Sequence, residues 1–160
     1  DDRLVGYDTN YKMNPPLRTA ADNAALMQGL KDGVFDLIAT DHAPHTEFEK
    51  AQDFVTAPNG ITGLDMALVV LFHNCIAKGE FGWDLLVKRY SAEPRRFMGL
   101  EPVPVEEGKR SELILFDPNG ETTFTREFMQ SKSSNTPVLD QTLKGRVEMV
   151  VMGDEILLER

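Results

Sequence analysis

One short run decides what this chain can fold into. Phe35-Asp36-Leu37-Ile38-Ala39-Thr40 is nearly continuous in apolar character. That is the pattern of a strand covered on both faces, as in parallel sheets. Helical patterns flank it. Upstream, Thr19-Ala20-Ala21-Asp22 resembles a capping box and predicts a helix to about Asp32. Leu26, Met27 and Leu30 would form its buried stripe, and Gly33 its left-handed stop. Downstream lies a long loop, residues 42–61, with Pro44, Pro58 and Gly60. Loops of that length in compact domains are usually functional or disordered. A second box, Thr62-Gly63-Leu64-Asp65, opens a helix carrying Leu64, Ala67, Leu68, Leu71, Phe72 and Cys75 on one face. Lys78-Gly79 closes it. Asp84 to Tyr90 makes a short helix, and Ser91 caps another that has Glu93 and Pro94 in its first turn and stops at Gly99. The first hundred residues therefore read as α/β.

The character changes after Leu100. Pro102, Pro104 and Gly108 mark a linker. Glu112 to Phe116 reads as a strand, followed by an Asp117-Pro118-Asn119-Gly120 turn. Thr122 to Phe124, Arg146 to Met152 and Glu155 to Leu158 are further strands, the last two joined at Gly153-Asp154. The expected organisation is residues 1–100 as one α/β part and residues 101–160 as a β-rich part.

The apolar run ends in Thr40-Asp41-His42-Ala43-Pro44-His45, which holds two of the chain's three histidines. In barrels of alternating strands and helices, catalytic groups sit at the carboxyl ends of strands. A carboxylate there can ligate a metal or take a proton from bound water. The same run also fits a capping Asp with two histidines in a solvated loop. Upstream, Met13-Asn14-Pro15-Pro16-Leu17 forces an extended path. Asn14 there can recognise a ligand or simply cap the turn. His73 and Cys75, on a helix, read as packing residues.

Composition narrows the function classes. The formal charge of −9, with no Lys/Arg cluster, argues against nucleic-acid binding. A single cysteine rules out an intrachain disulfide and thiolate zinc sites of the finger type. No apolar run is long enough to span a bilayer. The chain opens on Asp1-Asp2-Arg3, without helix-start or strand logic, and reads as a piece of something longer.

Several motifs together resemble dihydroorotases of the type I-like branch of the amidohydrolase superfamily. They are Asp41-His42-Ala43-Pro44-His45 followed by Glu49-Lys50-Ala51, Asn14-Pro15-Pro16-Leu17-Arg18 upstream, Ala57-Pro58 and Gly60-Ile61, and Ser131-Lys132-Ser133-Ser134-Asn135-Thr136-Pro137. Order and spacing are kept from about Tyr11 onward. Hydantoinases and allantoinases share part of this pattern, but usually lack counterparts of Asn14 and His45.

The resemblance implies an α/β fold: the carboxyl-terminal portion of a (β/α)₈ TIM-type barrel, with residues 35–40 as its last strand, plus strands of a small β-sandwich domain. It implies a cytoplasmic, zinc-dependent hydrolase of pyrimidine biosynthesis that interconverts N-carbamoyl-L-aspartate and dihydroorotate. Asp41 would be the zinc ligand and catalytic proton carrier. His45 would bind the substrate carboxylate, Asn14 the pyrimidine ring, and Asn59 and Gly60 the ring through backbone groups. His42 would give only indirect support. Relatives often have an aromatic residue where this chain has Asn59.

The family's other metal ligands, among them an HxH pair, have no counterpart here, nor does the arginine that grips the substrate. One or two Zn²⁺ would therefore be held mostly by residues outside this chain, and the chain alone would be inactive. Expected partners are the small-molecule substrate, the remainder of its own chain and a second copy in a homo-oligomer, with aspartate transcarbamoylase as a further candidate and no nucleic acid or membrane. Two other readings stand beside this one: a hydantoinase- or allantoinase-type ring amidase, and a non-catalytic structural partner of the transcarbamoylase.

Overall fold

Thr19 behaves as its sequence context predicts. In the computed structural model, which describes residues 6–159, its hydroxyl accepts from the Asp22 N–H, and the Asp22 carboxylate accepts from the Thr19 N–H. That box opens helix α1, Ala20–Asp32, which ends at Gly33 with φ 83°. The opening Asp1-Asp2-Arg3 lies outside the described residues. Removing the cap hydroxyl, Thr19→Ala, should cost about 1 kcal/mol in a denaturant melt of the intact protein. A cost near zero would show that α1 is held by packing alone. The expected stripe of α1 differs from its observed burial. None of its residues is buried, and Leu26 is 52 % exposed. An apolar helix face is buried only when another element covers it.

The chain divides into two compact units. One takes in the chain up to Val34, Ala39–Ala67 and Thr123–Thr142. The other takes in Phe35–Ile38, Leu68–Thr122 and the chain from Leu143 onward.

The first unit has a core of mixed polarity. Ala57, Met66, Phe124 and Met129 are buried beside Lys50, Thr62, Asn135 and Thr136. Phe124 packs edge-on against Phe128, and the Thr136 hydroxyl donates to the Met66 sulfur. This core is built largely from loops, so its carbonyls and N–H groups need partners from side chains. Within the expected long loop sits a one-turn helix, α2, Glu47–Lys50. Its box is Thr46 with Glu49, and hydrogen bonds from the Thr46 backbone and hydroxyl hold the Glu49 carboxyl below its ordinary pKa.

The box expected at Thr62–Asp65 does not form. The Thr62 N–H goes to the Asn135 carbonyl, and Asp65 Oδ1 accepts from the Gln130 N–H. Both ends of the box are taken by distant partners. Helix α3 accordingly starts later, at Ala67–Leu71, and runs on as a π-helical turn, Phe72–Ile76.

In the second unit, Val69, Phe72, Cys75 and Leu86 are buried. Phe72, Trp83 and Phe116 meet with ring centroids 4.9–5.5 Å apart. His73 Nδ1 accepts the Lys144 N–H, so both His73 and Cys75 take the structural roles read from sequence. Helices α4, Trp83–Val87, and α5, Glu93–Phe97, are joined without a break by a π-helical stretch, Lys88–Ala92. Ser91 lies inside that stretch and caps nothing. Pro94 brings no N–H, and the wider π-type bonding, with the Glu93 N–H on the Lys88 carbonyl, accommodates it.

Three strands complete this part: β1, Glu112–Thr123; β2, Thr142–Met152; β3, Glu155–Glu159, in the order β1-β2-β3. β2 and β3 are antiparallel about Gly153-Asp154, with an irregularity between Val150 and Val151. The expected turn at Asp117–Gly120 is instead part of one twelve-residue strand. β1 is an edge strand, where Pro118 forfeits no ladder bond if its nitrogen faces away from β2.

Residues 36–45 form no ladder among the described residues; the Ile38 N–H donates to the Arg89 carbonyl. A strand exists only as one of a pair, so its apolar pattern alone cannot make it one.

Candidate active site

The first unit gathers His45, Asn59 and Gly60. His45 Nε2 lies 2.9 Å from the Asn59 carbonyl oxygen. A carbonyl only accepts, so Nε2 carries the proton and Nδ1 is the ring atom left over. The Gly60 N–H donates to the Lys12 carbonyl, and the Gly60 carbonyl accepts from Lys50 Nζ and Asn135 Nδ2. Both backbone groups of Gly60 are thus engaged, and it is the exposed Asn59 N–H that has no protein acceptor among the described residues. Gly60 has φ 110°, and a Cβ there would stand 2.6 Å from the Ala43 Cβ. Only glycine fits this place without strain.

The loop is fastened from both directions. The Ala43 N–H donates to the Ile61 carbonyl. Asn135, 7 % exposed, donates through Nδ2 to the carbonyls of Ala43 and Gly60 and accepts at Oδ1 from the His45 N–H. The Ser133 hydroxyl donates to the His45 carbonyl. His42 Nδ1 accepts from the N–H groups of Gly63 and Leu64, at 3.0 and 3.2 Å. The indirect support expected of His42 is therefore a backbone cap.

Two lysines hold the loop from below. Lys12 Nζ donates to the carbonyls of Val55 and Ala57, and Lys50 Nζ to those of Pro58 and Gly60. Burial lowers the Lys50 pKa, the Lys12 charge lowers it further, and Asp8 opposes them. Beside this framework lies a cleft of about 300 Å³, lined among others by Thr9, Asn10, His45, Glu47, Lys50 and Asn135.

Asp41 and Asn14 are exposed members of the same unit. Asp41 has φ 45°, in the left-handed region that Asp and Asn tolerate best among side-chain-bearing residues. No hydrogen bond joins either residue to the His45 cluster among the described residues. Nor do three His, Cys, Asp or Glu side chains converge on a possible metal position there. Asp41 offers one carboxylate, whereas a catalytic zinc takes three protein ligands. The described residues do not by themselves fit a zinc site.

Sequence reading singled out His45, Asn59 and Gly60 but missed Lys12 and the roles of Lys50, Ser133 and Asn135. The signal was present: Lys50 lies in Glu49-Lys50-Ala51, and Ser133 and Asn135 in the Ser131–Pro137 motif.

No family model matches the chain. It is 36 % identical to a dihydroorotase of Clostridium acetobutylicum over 159 residues, 99 % of this chain and 38 % of that protein. It is 38 % identical to a dihydroorotase of Geobacter metallireducens over 160 residues, again 38 % of that protein. The chain thus spans well under half the length of the curated relatives it matches. Among solved structures, an L-hydantoinase (dihydropyrimidinase) from Arthrobacter aurescens superposes with a TM-score of 0.85 at 22 % identity, over 99 % of this chain and 36 % of the other. A D-hydantoinase (dihydropyrimidinase) from Thermus sp. gives 0.81 at 22 % identity, over 94 % and 34 %. From end to end, then, this chain is similar to one part of the dihydroorotases, and its fold is shared with the corresponding part of hydantoinases.

Proposed function

We propose that this chain is the carboxyl-terminal part of a zinc-dependent dihydroorotase, interconverting N-carbamoyl-L-aspartate and dihydroorotate in pyrimidine biosynthesis. The observation that carries the reading is the match to dihydroorotases along the whole chain, with His45 locked to the Asn59 backbone inside it. In this reading residues 35–40 are a barrel strand whose neighbours lie outside the described residues, and the bare face of α1 packs there too. Residues 101–160 supply strands of a β-sandwich. The protein is cytoplasmic and works as a homo-oligomer, with aspartate transcarbamoylase the candidate partner of the whole assembly.

The site residues divide the work. His45, its Nε2–H spent on Asn59, presents Nδ1 to the substrate carboxylate, which needs that nitrogen protonated and hence an imidazolium. The Asn59 N–H and the Asn14 amide hydrogen-bond the ring. Gly60 lets the backbone come close where any side chain would collide. Asp41 takes the proton of the attacking water and delivers it to the leaving nitrogen. Asp41 would also hold zinc by its carboxylate, together with ligands outside these residues. One or two Zn²⁺, when bound, would supply polarisation of the carbonyl and a more acidic water.

The test is turnover by the intact protein on dihydroorotate, hydantoin and allantoin. Dihydroorotate should be preferred by about a hundredfold or more in kcat/KM, because the neutral rings offer His45 no carboxylate to bind. The opposite preference would assign a hydantoinase- or allantoinase-type activity. No turnover of any ring amide by the zinc-supplied intact protein would favour a structural role. The isolated 160-residue chain should be inactive; full activity in it would contradict the placing of most zinc ligands elsewhere.

A further inference from the structure

We infer that Lys50 is a positioning residue: it orients the Asn59 peptide and, through it, the His45 ring. The inference rests on the dihydroorotase reading only for its kinetic consequence. Lys50 is 7 % exposed, and its ammonium donates to the carbonyls of Pro58 and Gly60, each at 3.1 Å. These carbonyls flank Asn59. Tying both to one nitrogen leaves the intervening carbonyl to point elsewhere, and it meets His45 Nε2. Three successive carbonyls are thereby sorted: 58 and 60 to Lys50, 59 to His45.

The lysine is itself well anchored. It closes helix α2, whose capping box is complete, and its own carbonyl accepts from the Thr9 hydroxyl. Lys12 extends the arrangement, taking the carbonyls of Val55 and Ala57 on its ammonium and the Gly60 N–H on its carbonyl. A buried ammonium is a costly way to fill space, since a methionine would occupy the same room without desolvating a charge. What methionine could not do is bind two carbonyls. Charge-assisted bonds to an irregular loop fix its peptide planes more firmly than apolar packing can.

The test uses the intact protein with ¹⁵N-labelled histidine, the His45 ring signals being assigned by their loss in His45→Gln. Wild type should show one tautomer, protonated at Nε2. Lys50→Met should mix the tautomers or move the Nε2–H signal, and raise KM for dihydroorotate by about tenfold or more while kcat stays within about threefold. Lys50→Arg, which restores two donors, should return the ring signals toward wild type. Should Lys50→Met fail to fold, Lys50→Gln, with one donor pair, carries the same comparison. Unchanged ring signals in a folded variant would overturn the inference. So would failure of both variants to fold, which would make Lys50 a folding residue. If wild type does not turn over dihydroorotate, the proposed activity fails, and the ring signals still decide the role of Lys50.

Discussion

Asp41→Asn in the intact protein should lower kcat on dihydroorotate by about 10²–10⁴-fold, the usual worth of a positioned acid–base group. The amide keeps the size and shape of the carboxylate but cannot carry a proton from water to the leaving nitrogen. KM should stay within about threefold, because in the proposed function the substrate carboxylate is bound elsewhere, at His45. The choice of Asn matters. Asp41 has φ 45°, and Asn accepts that backbone as readily as Asp does. Alanine would add backbone strain of about 1–2 kcal/mol and blur the reading. Steady-state kinetics with the metal content measured alongside would decide. Near-normal turnover would remove Asp41 from the chemistry.

Asn135→Leu should destabilise the protein by about 1–3 kcal/mol, since the groups left unpaired are half-buried and each costs less than the full penalty of a buried one. Two groups are left without a partner, the Ala43 carbonyl and the His45 N–H, while the Ser133 hydroxyl keeps the His45 carbonyl. The Gly60 carbonyl keeps Lys50, and the Thr62 N–H keeps the main-chain carbonyl of residue 135, so neither adds to the loss. Leucine has the same number of side-chain heavy atoms and is bulkier, which keeps cavity formation out of the comparison and can only add overpacking to the loss. Urea unfolding of the intact protein measures it. A loss below about 1 kcal/mol would mean that water takes the place of the amide. Dihydroorotate turnover should fall with stability, since the same amide holds the His45 main chain.

Local signals in the sequence were read well where local chemistry decides. Thr19 and Asp22 form their box because both partners lie within one turn. Gly33 and the Gly153-Asp154 turn follow for the same reason. Thr62 and Asp65 carry an equally good pattern, yet each is claimed by a residue more than sixty positions away. No window-based reading can see that competition. Ser91 fails as a cap because Pro94 can be absorbed by a wider helical turn as easily as by a new helix. In the site, His45 and Gly60 were visible as unusual residues in a loop. Lys12 and Lys50 were not, because a lysine in sequence looks like surface, and only the fold shows its ammonium turned onto carbonyls.

The bond between Asn135 and His45 joins residues 90 positions apart. On the ribosome, where chains grow at roughly 5–20 residues per second, about 5–18 s separate their synthesis. During that interval the His45 loop has its lysines but not its amide clamp. The nascent chain therefore carries a half-fastened His45 loop while the next ninety residues are made. A translation pause between residues 45 and 135 thus acts on a loop that still lacks one of its fasteners.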